Sequence, residues 1–144
     1  GAGHAEGLAP GSGSWLFRLP AEWEWQLAAT SGDTTHVFPW GPDWDGERAN
    51  TFACGLNRST TVGMYPAGAS PCGALDLIGN VLEWCLNEYD RPASLNTGSM
   101  LRRSLRGAAW GSDAGPCGVA CRYSSFTPLD RSSHFGFRLV AVRQ

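Results

Sequence analysis

The residues of this 144-residue chain that could do chemistry are five cysteines, three histidines and a scatter of carboxylates. Cys117 and Cys121 form a Cys-x3-Cys pair. Accessible thiolates of low pKa could hold Cu(I) or take part in an oxidation, and the same pair could equally be a local disulfide. No Cys-x2-Cys pair exists, so a structural zinc site is not supported. An odd cysteine count argues against a domain stapled only by disulfides. Cys54 and Cys72 show no readable role. His4, His36 and His134 are widely separated, so neither an iron triad nor a Ser-His-Asp arrangement can be argued. His36 reads as a loop residue and His134 as a surface one.

The elements that must position such groups are few. Arg18 to Thr30 is the best helix candidate, with Pro20 in the first turn and Glu22 and Glu24 at the positive end of the dipole. Spacing puts Trp23, Leu27 and Thr30 on one face, and Gly32 is the expected stop. Residues 31–72 are punctuated by Gly, Pro, Asp and Asn and read as loop. Residues 80–86 read as a buried strand, 101–110 as a second and 137–142 as a third. Residues 111–135 show almost no periodicity. One helix, long loops and a few strands give an α+β class with a small antiparallel sheet.

Composition narrows the function classes. The formal net charge is -2 with no basic stripe, which argues against nucleic acid as a partner. No apolar run reaches the roughly 18 residues that span a membrane. Gly (19) and Pro (9) predict ordered loops, and seven Trp predict that those loops are packed. Residues 1–17 read as a lead-in or linker. The first 14 lack the charged and apolar regions of a signal peptide.

Six separated motifs then occur in one order: Arg18-Leu19-Pro20 with Glu22-Trp23-Glu24; Phe38-Pro39-Trp40-Gly41; Arg48-Ala49-Asn50; Gly79-Asn80-Val81 with Glu83-Trp84-Cys85; Leu105-Arg106-Gly107 with Trp110; and Gly136-Phe137-Arg138-Leu139-Val140. Together they resemble the formylglycine-generating-enzyme, or sulfatase-modifying factor, family. The resemblance implies a loop-rich C-type-lectin-like fold over residues 18–144. Members normally carry a substantial segment before the Arg-Leu-Pro motif, where this sequence has 17 residues.

The resemblance also implies a calcium site, carried over to the carboxylates of Asp76 and Glu83 and the carbonyls of Gly79 and Val81. Calcium takes six to eight hard oxygens in irregular geometry. The competing reading has Asp76 capping a turn and Glu83 paired with Arg106, Arg122 or Arg138. A second family calcium site would use Asn50 and the carbonyl of Thr51, but the loop completing it, Cys54 to Thr61, is shortened. Family oxidases use copper on a cysteine pair to act on a sulfatase cysteine. Here the position of their first cysteine, two after the aromatic matched by Trp110, is Ser112, and the Cys-x3-Cys spacing differs from theirs. This argues against copper and leaves the oxidase as one alternative, beside a structural or signalling module of the same fold. Cys85, beside Trp84, reads as a core residue.

Domains of this type also serve as variable proteins of diversity-generating retroelements. There, a C-terminal segment is mutated at template adenines, and Asn-type codons never become Lys, Glu, Gln, Met or Trp. None of those five types occurs in residues 111–135. The segment is instead a mixture of Ser, Phe, Tyr, Leu, His, Asp and Cys, which resembles a paratope. The expected function is therefore non-enzymatic binding of a protein or other macromolecular ligand. Expected contacts are Ser112, Asp113, Tyr123, Ser124, Phe126, Leu129, Asp130, Ser133, His134 and Phe135, on a framework of Arg106, Arg122, Arg131 and Arg138.

Overall fold

Helix α1 (Glu22–Thr30) opens where the Ala21 backbone N–H donates to Glu24 Oε2 at 2.7 Å, closing one orphan donor of the first turn. It ends at Thr30, the last residue expected and two before Gly32. Ser31 takes a left-handed conformation, and its N–H donates to the Leu27 carbonyl at 2.7 Å. This is a computed structural model, and it describes residues 13–115 and 118–144. The start of the expected helix is different: Trp15–Arg18 is a strand, β1, and Leu19 to Ala21 only lead into the helix.

The helix buries a different face from the one its spacing suggested. Trp23 and Leu27 are 55% and 60% exposed and only Thr30 of the expected face is buried, while Trp25 and Ala29 are fully buried. Trp25 and Ala29 also lie four residues apart, and a partner decides between the two stripes. The Trp25 Nε1–H donates to Glu83 Oε2 at 2.7 Å, so its one polar atom is satisfied inside the core.

The main sheet has the order β4-β3-β2-β5, with β2 Leu82–Glu88, β3 Arg103–Arg106, β4 Arg122–Tyr123 and β5 Phe135–Gly136. It is mixed rather than purely antiparallel, because β5 runs parallel to β2. Of the expected strand over 137–142 only the end is a strand, and a separate one precedes it. Phe135–Gly136 joins the main sheet, and β6 (Val140–Arg143) pairs antiparallel with β1 in a separate two-stranded ribbon.

Alternation along a strand sends successive side chains to opposite faces. On one face of the main sheet Cys85 joins Trp25, Ala29, Phe38, Leu77, Ile78 and Val119 in the larger core cluster. On the other, Leu82 and Leu105 join Ala109 in a smaller cluster covered by Trp84, Tyr123, Phe126 and Phe135.

Charge is buried on the helix side. Glu22, 7% exposed, accepts from Arg122 Nε and Nη2, each at 2.7 Å, and from Arg106 Nη1 at 3.2 Å. Arg106 also donates to Gln26 and to the Val119 carbonyl, and its guanidinium lies 5.0 Å from the centre of the Trp25 ring. Burial alone would raise the Glu22 pKa. Hydrogen bonds from Arg122, Ser104 and Arg106 outweigh it and hold the carboxyl below its ordinary range.

A carboxyl depressed on folding stabilises the protein above its unfolded pKa, and that stabilisation is lost as pH falls through the folded value. Glu22→Gln is expected to cost about 3 kcal/mol in urea unfolding at neutral pH, because it leaves Arg106 and Arg122 without their carboxylate. The variant should also lose part of the wild-type decline in stability below the ordinary glutamate pKa of about 4.3.

Candidate ligand-binding site

Six of the ten expected contact residues come together. Ser112, Tyr123, Phe126, Asp130, His134 and Phe135 line one open cavity of about 490 Å³. Its remaining lining includes Leu82, Ala109, Gly111, Arg131 and Ser132, which the sequence did not single out as contacts. Leu82 and Ala109 belong to the apolar cluster beneath. Asp113, Ser124, Leu129 and Ser133 do not line the cavity, and Leu129 stands 75% exposed.

The walls are aromatic. The Phe126 and Phe135 rings meet edge to face at 4.5 Å between centroids, and Trp84 backs Phe135 at 5.6 Å. The His134 ring stacks on Trp110 at 4.1 Å, so this histidine is a packed wall rather than a free surface group. Tyr123, half-buried opposite Leu105 in the β3–β4 ladder, has its phenol pKa pushed up by burial.

The backbone of the segment is held by the scaffold. The Ser112 carbonyl accepts from Phe52 N–H at 3.1 Å, the Phe126 carbonyl from Arg103 N–H at 3.0 Å, and the His134 carbonyl from Leu82 N–H at 2.7 Å. Near the middle, Arg122 is clamped to Glu22 and lies 4.4 Å from the Tyr89 ring centre. Val119 is buried and donates its N–H to the Val37 carbonyl. Gly118 has φ +56°, and a Cβ there would stand 2.2 Å from the Val37 carbonyl oxygen. Of the expected framework arginines, Arg106, Arg122 and Arg138 form buried or half-buried ion pairs, while Arg131 lies at the cavity rim.

The carboxylates considered for calcium serve other partners. Glu83, 4% exposed, accepts from Arg138 Nε and Nη2, each at 2.6 Å, and from Trp25. Asp76 Oδ2 accepts from Gly63 N–H at 2.7 Å, and its charge also acts on Arg138. The Gly79 turn is packed tightly: φ is +86°, and a Cβ would stand 2.6 Å from the Asn50 carbonyl oxygen. Among the described residues no group of three or more His, Cys, Asp or Glu could hold a metal ion. Arg138 already pairs with Glu83 through both guanidinium nitrogens, so a calcium ion held by Asp76, Gly79, Val81 and Glu83 would have to compete with it. The melting temperature is therefore expected to be the same in calcium chloride and in EGTA.

The cysteines divide by environment. Cys121 is in a disulfide, and Cys117 lies outside the described residues. Cys85 is buried in the core as expected, with its thiol pKa pushed up to about 12, chiefly by burial. Cys72 is exposed and held below the usual thiol range, first by its hydrogen bond with Ser70. Iodoacetamide should label Cys72 first in the native protein and leave Cys85 unmodified until unfolding, as read by peptide mass mapping.

Among the described residues one short α-helix, two small sheets and long packed loops define an α+β, loop-rich fold of the formylglycine-generating-enzyme type, a C-type-lectin-like architecture. A model of the sulfatase-modifying factor enzyme 1-like domain matches residues 2–143, and the chain belongs to that family. It is 34% identical over 141 residues to serine/threonine-protein kinase pkn1 of Chlamydia caviae, covering 90% of this chain and 22% of that protein. It is 33% identical over 138 residues to inactive C-alpha-formylglycine-generating enzyme 2 of Bos taurus, covering 86% of this chain and 44% of that protein. Among solved structures it resembles Treponema denticola variable protein 1, with a TM-score of 0.68 and 30% identity, over 89% of this chain and 48% of that one. The chain thus spans less than half the length of each of these relatives. No helix among the described residues is long and apolar enough to cross a membrane.

Proposed function

We propose that this chain is a non-enzymatic ligand-binding module of the variable-protein type. It would display residues 111–135 as a diversifiable surface on the family scaffold and bind a protein or other macromolecular ligand. One observation carries the reading: scaffold N–H groups of Phe52, Arg103 and Leu82 hold the segment's backbone carbonyls while its side chains line the cavity. Backbone held in this way keeps its path when side chains change. The likeness to a solved variable protein supports the same reading. The oxidase alternative would need a reactive cysteine pair. Ser112 stands where the first cysteine of the enzymes falls and is part of the cavity wall.

The segment divides into framework and display positions. Ala114, Gly118, Val119 and Arg122 are packed or clamped and belong to the framework. Ser112, Asp113, Ser124, Phe126, Leu129, Asp130, Ser133 and His134 are the positions free to differ. Deep sequencing of the gene across a population is expected to show changes concentrated at those eight codons, without Lys, Glu, Gln, Met or Trp. An invariant segment, or changes spread equally over Ala114, Gly118, Val119 and Arg122, would refute the proposal.

A further inference from the structure

The cavity under the variable segment has a floor and a rim of different chemistry. The floor is scaffold: Leu82 and Ala109 are 6% and 0% exposed, and Leu105 closes the cluster behind them. The Phe126, Phe135 and Tyr123 rings rise from it. At the rim stand Asp130 and Arg131, adjacent in sequence and opposite in charge, with Ser112, Ser132 and His134. Asp130 Oδ2 accepts from Thr127 N–H at 2.6 Å and from its hydroxyl at 2.8 Å, which fixes the carboxylate while leaving Oδ1 without a hydrogen-bond partner among the described residues. No ion pair joins Arg131 to a carboxylate among the described residues. The rim therefore offers a fixed acceptor beside an uncommitted donor.

From these features we infer the class of ligand, resting on the binding-module reading above: a peptide segment of a protein partner that lays one large apolar side chain, aromatic or aliphatic, against the edge-to-face pair of Phe126 and Phe135. The main chain beside that side chain supplies an N–H for Asp130 and a carbonyl for Arg131. A volume of about 490 Å³ holds such a side chain with part of its backbone. The neutral rim disfavours ligands of one strong charge. A polyanion would meet Asp130, and a polycation would meet Arg131, at the same edge. An apolar anchor in a desolvated pocket with polar groups around it is the arrangement that concentrates binding energy in protein interfaces.

The test pans a phage-displayed random peptide library on the 144-residue chain and titrates the chain with N-acetyl-phenylalaninamide and N-acetyl-glycinamide by NMR. Expected are peptides sharing one Phe, Leu, Ile or Trp, and shifts at Ser112, Tyr123 and His134 with the phenylalanine compound alone. Phe126→Ala should weaken the selected peptide about tenfold or more. Since Phe126 also packs on the apolar cluster, Asp130→Asn and Arg131→Ala at the exposed rim provide variants that keep the fold, and each should weaken the peptide several-fold. Enrichment of acidic or basic runs, equal response to the glycine compound, or no binding by either probe would overturn the inference. A segment that varies across the population while no peptide binds would end this inference and leave the display reading standing. An invariant segment with peptide binding would do the reverse.

Discussion

Two buried carboxylates hold the architecture together. Glu22, at the start of α1, binds Arg122, 100 positions away in the chain, and Glu83 of β2 binds Arg138, 55 positions away. A carboxylate removed from water is costly unless it is matched by a cation in good geometry. Here both matches are two-pronged arginine contacts, which fix orientation as well as distance. The first pair seats the middle of the 111–135 segment on the helix, and the second seats the chain just beyond its end. The irregular backbone between them can then dispense with regular secondary structure.

The main sheet separates two tasks. Its helix-facing side carries the charge pairs, Trp25 and the larger core, where almost any change would disturb several partners at once. Its other side carries a thin apolar cluster and then the cavity. Stability is thus concentrated on one face and the proposed recognition surface lies on the other. Arg122 and Tyr123 show the division within two residues: successive side chains of one short strand point to opposite faces, the first into the Glu22 pair and the second into the cavity wall.

How much of this was legible in the sequence depended on whether the deciding contact was local. The helix, the β2 strand and the cavity segment were visible because each is marked by its own residues: Pro20 and paired glutamates, a short apolar run, and a stretch without Lys, Glu, Gln, Met or Trp. The buried face of α1 was misassigned because Trp23–Leu27 and Trp25–Ala29 have the same spacing. Only Glu83, 58 residues on, selects Trp25. The bounds of the last two strands were hidden for a similar reason. Phe135–Gly136 is claimed by β2 and Val140–Arg143 by β1, and neither partner is near in sequence. For Glu83, spacing left three arginines open, and three-dimensional geometry chose Arg138. Leu82 and Ala109 could not have been picked as cavity floor from periodicity, since a buried apolar residue looks the same whichever face it serves.

The β1–β6 ribbon has a mechanical consequence. Trp15 pairs with Arg143, and the Gln144 N–H donates to the Ser14 carbonyl at 2.9 Å, so the two strands meet at the end of the ladder where the chain enters and leaves. A pull applied through both strands would act across the hydrogen bonds rather than along the strands. It would open the ladder one rung at a time, as a zipper opens, instead of shearing all rungs together. The ribbon would yield at low force while the Glu22 and Glu83 clamps, which lie outside that line of load, stayed closed. Tension on the module would therefore peel its edge before it reached the cavity.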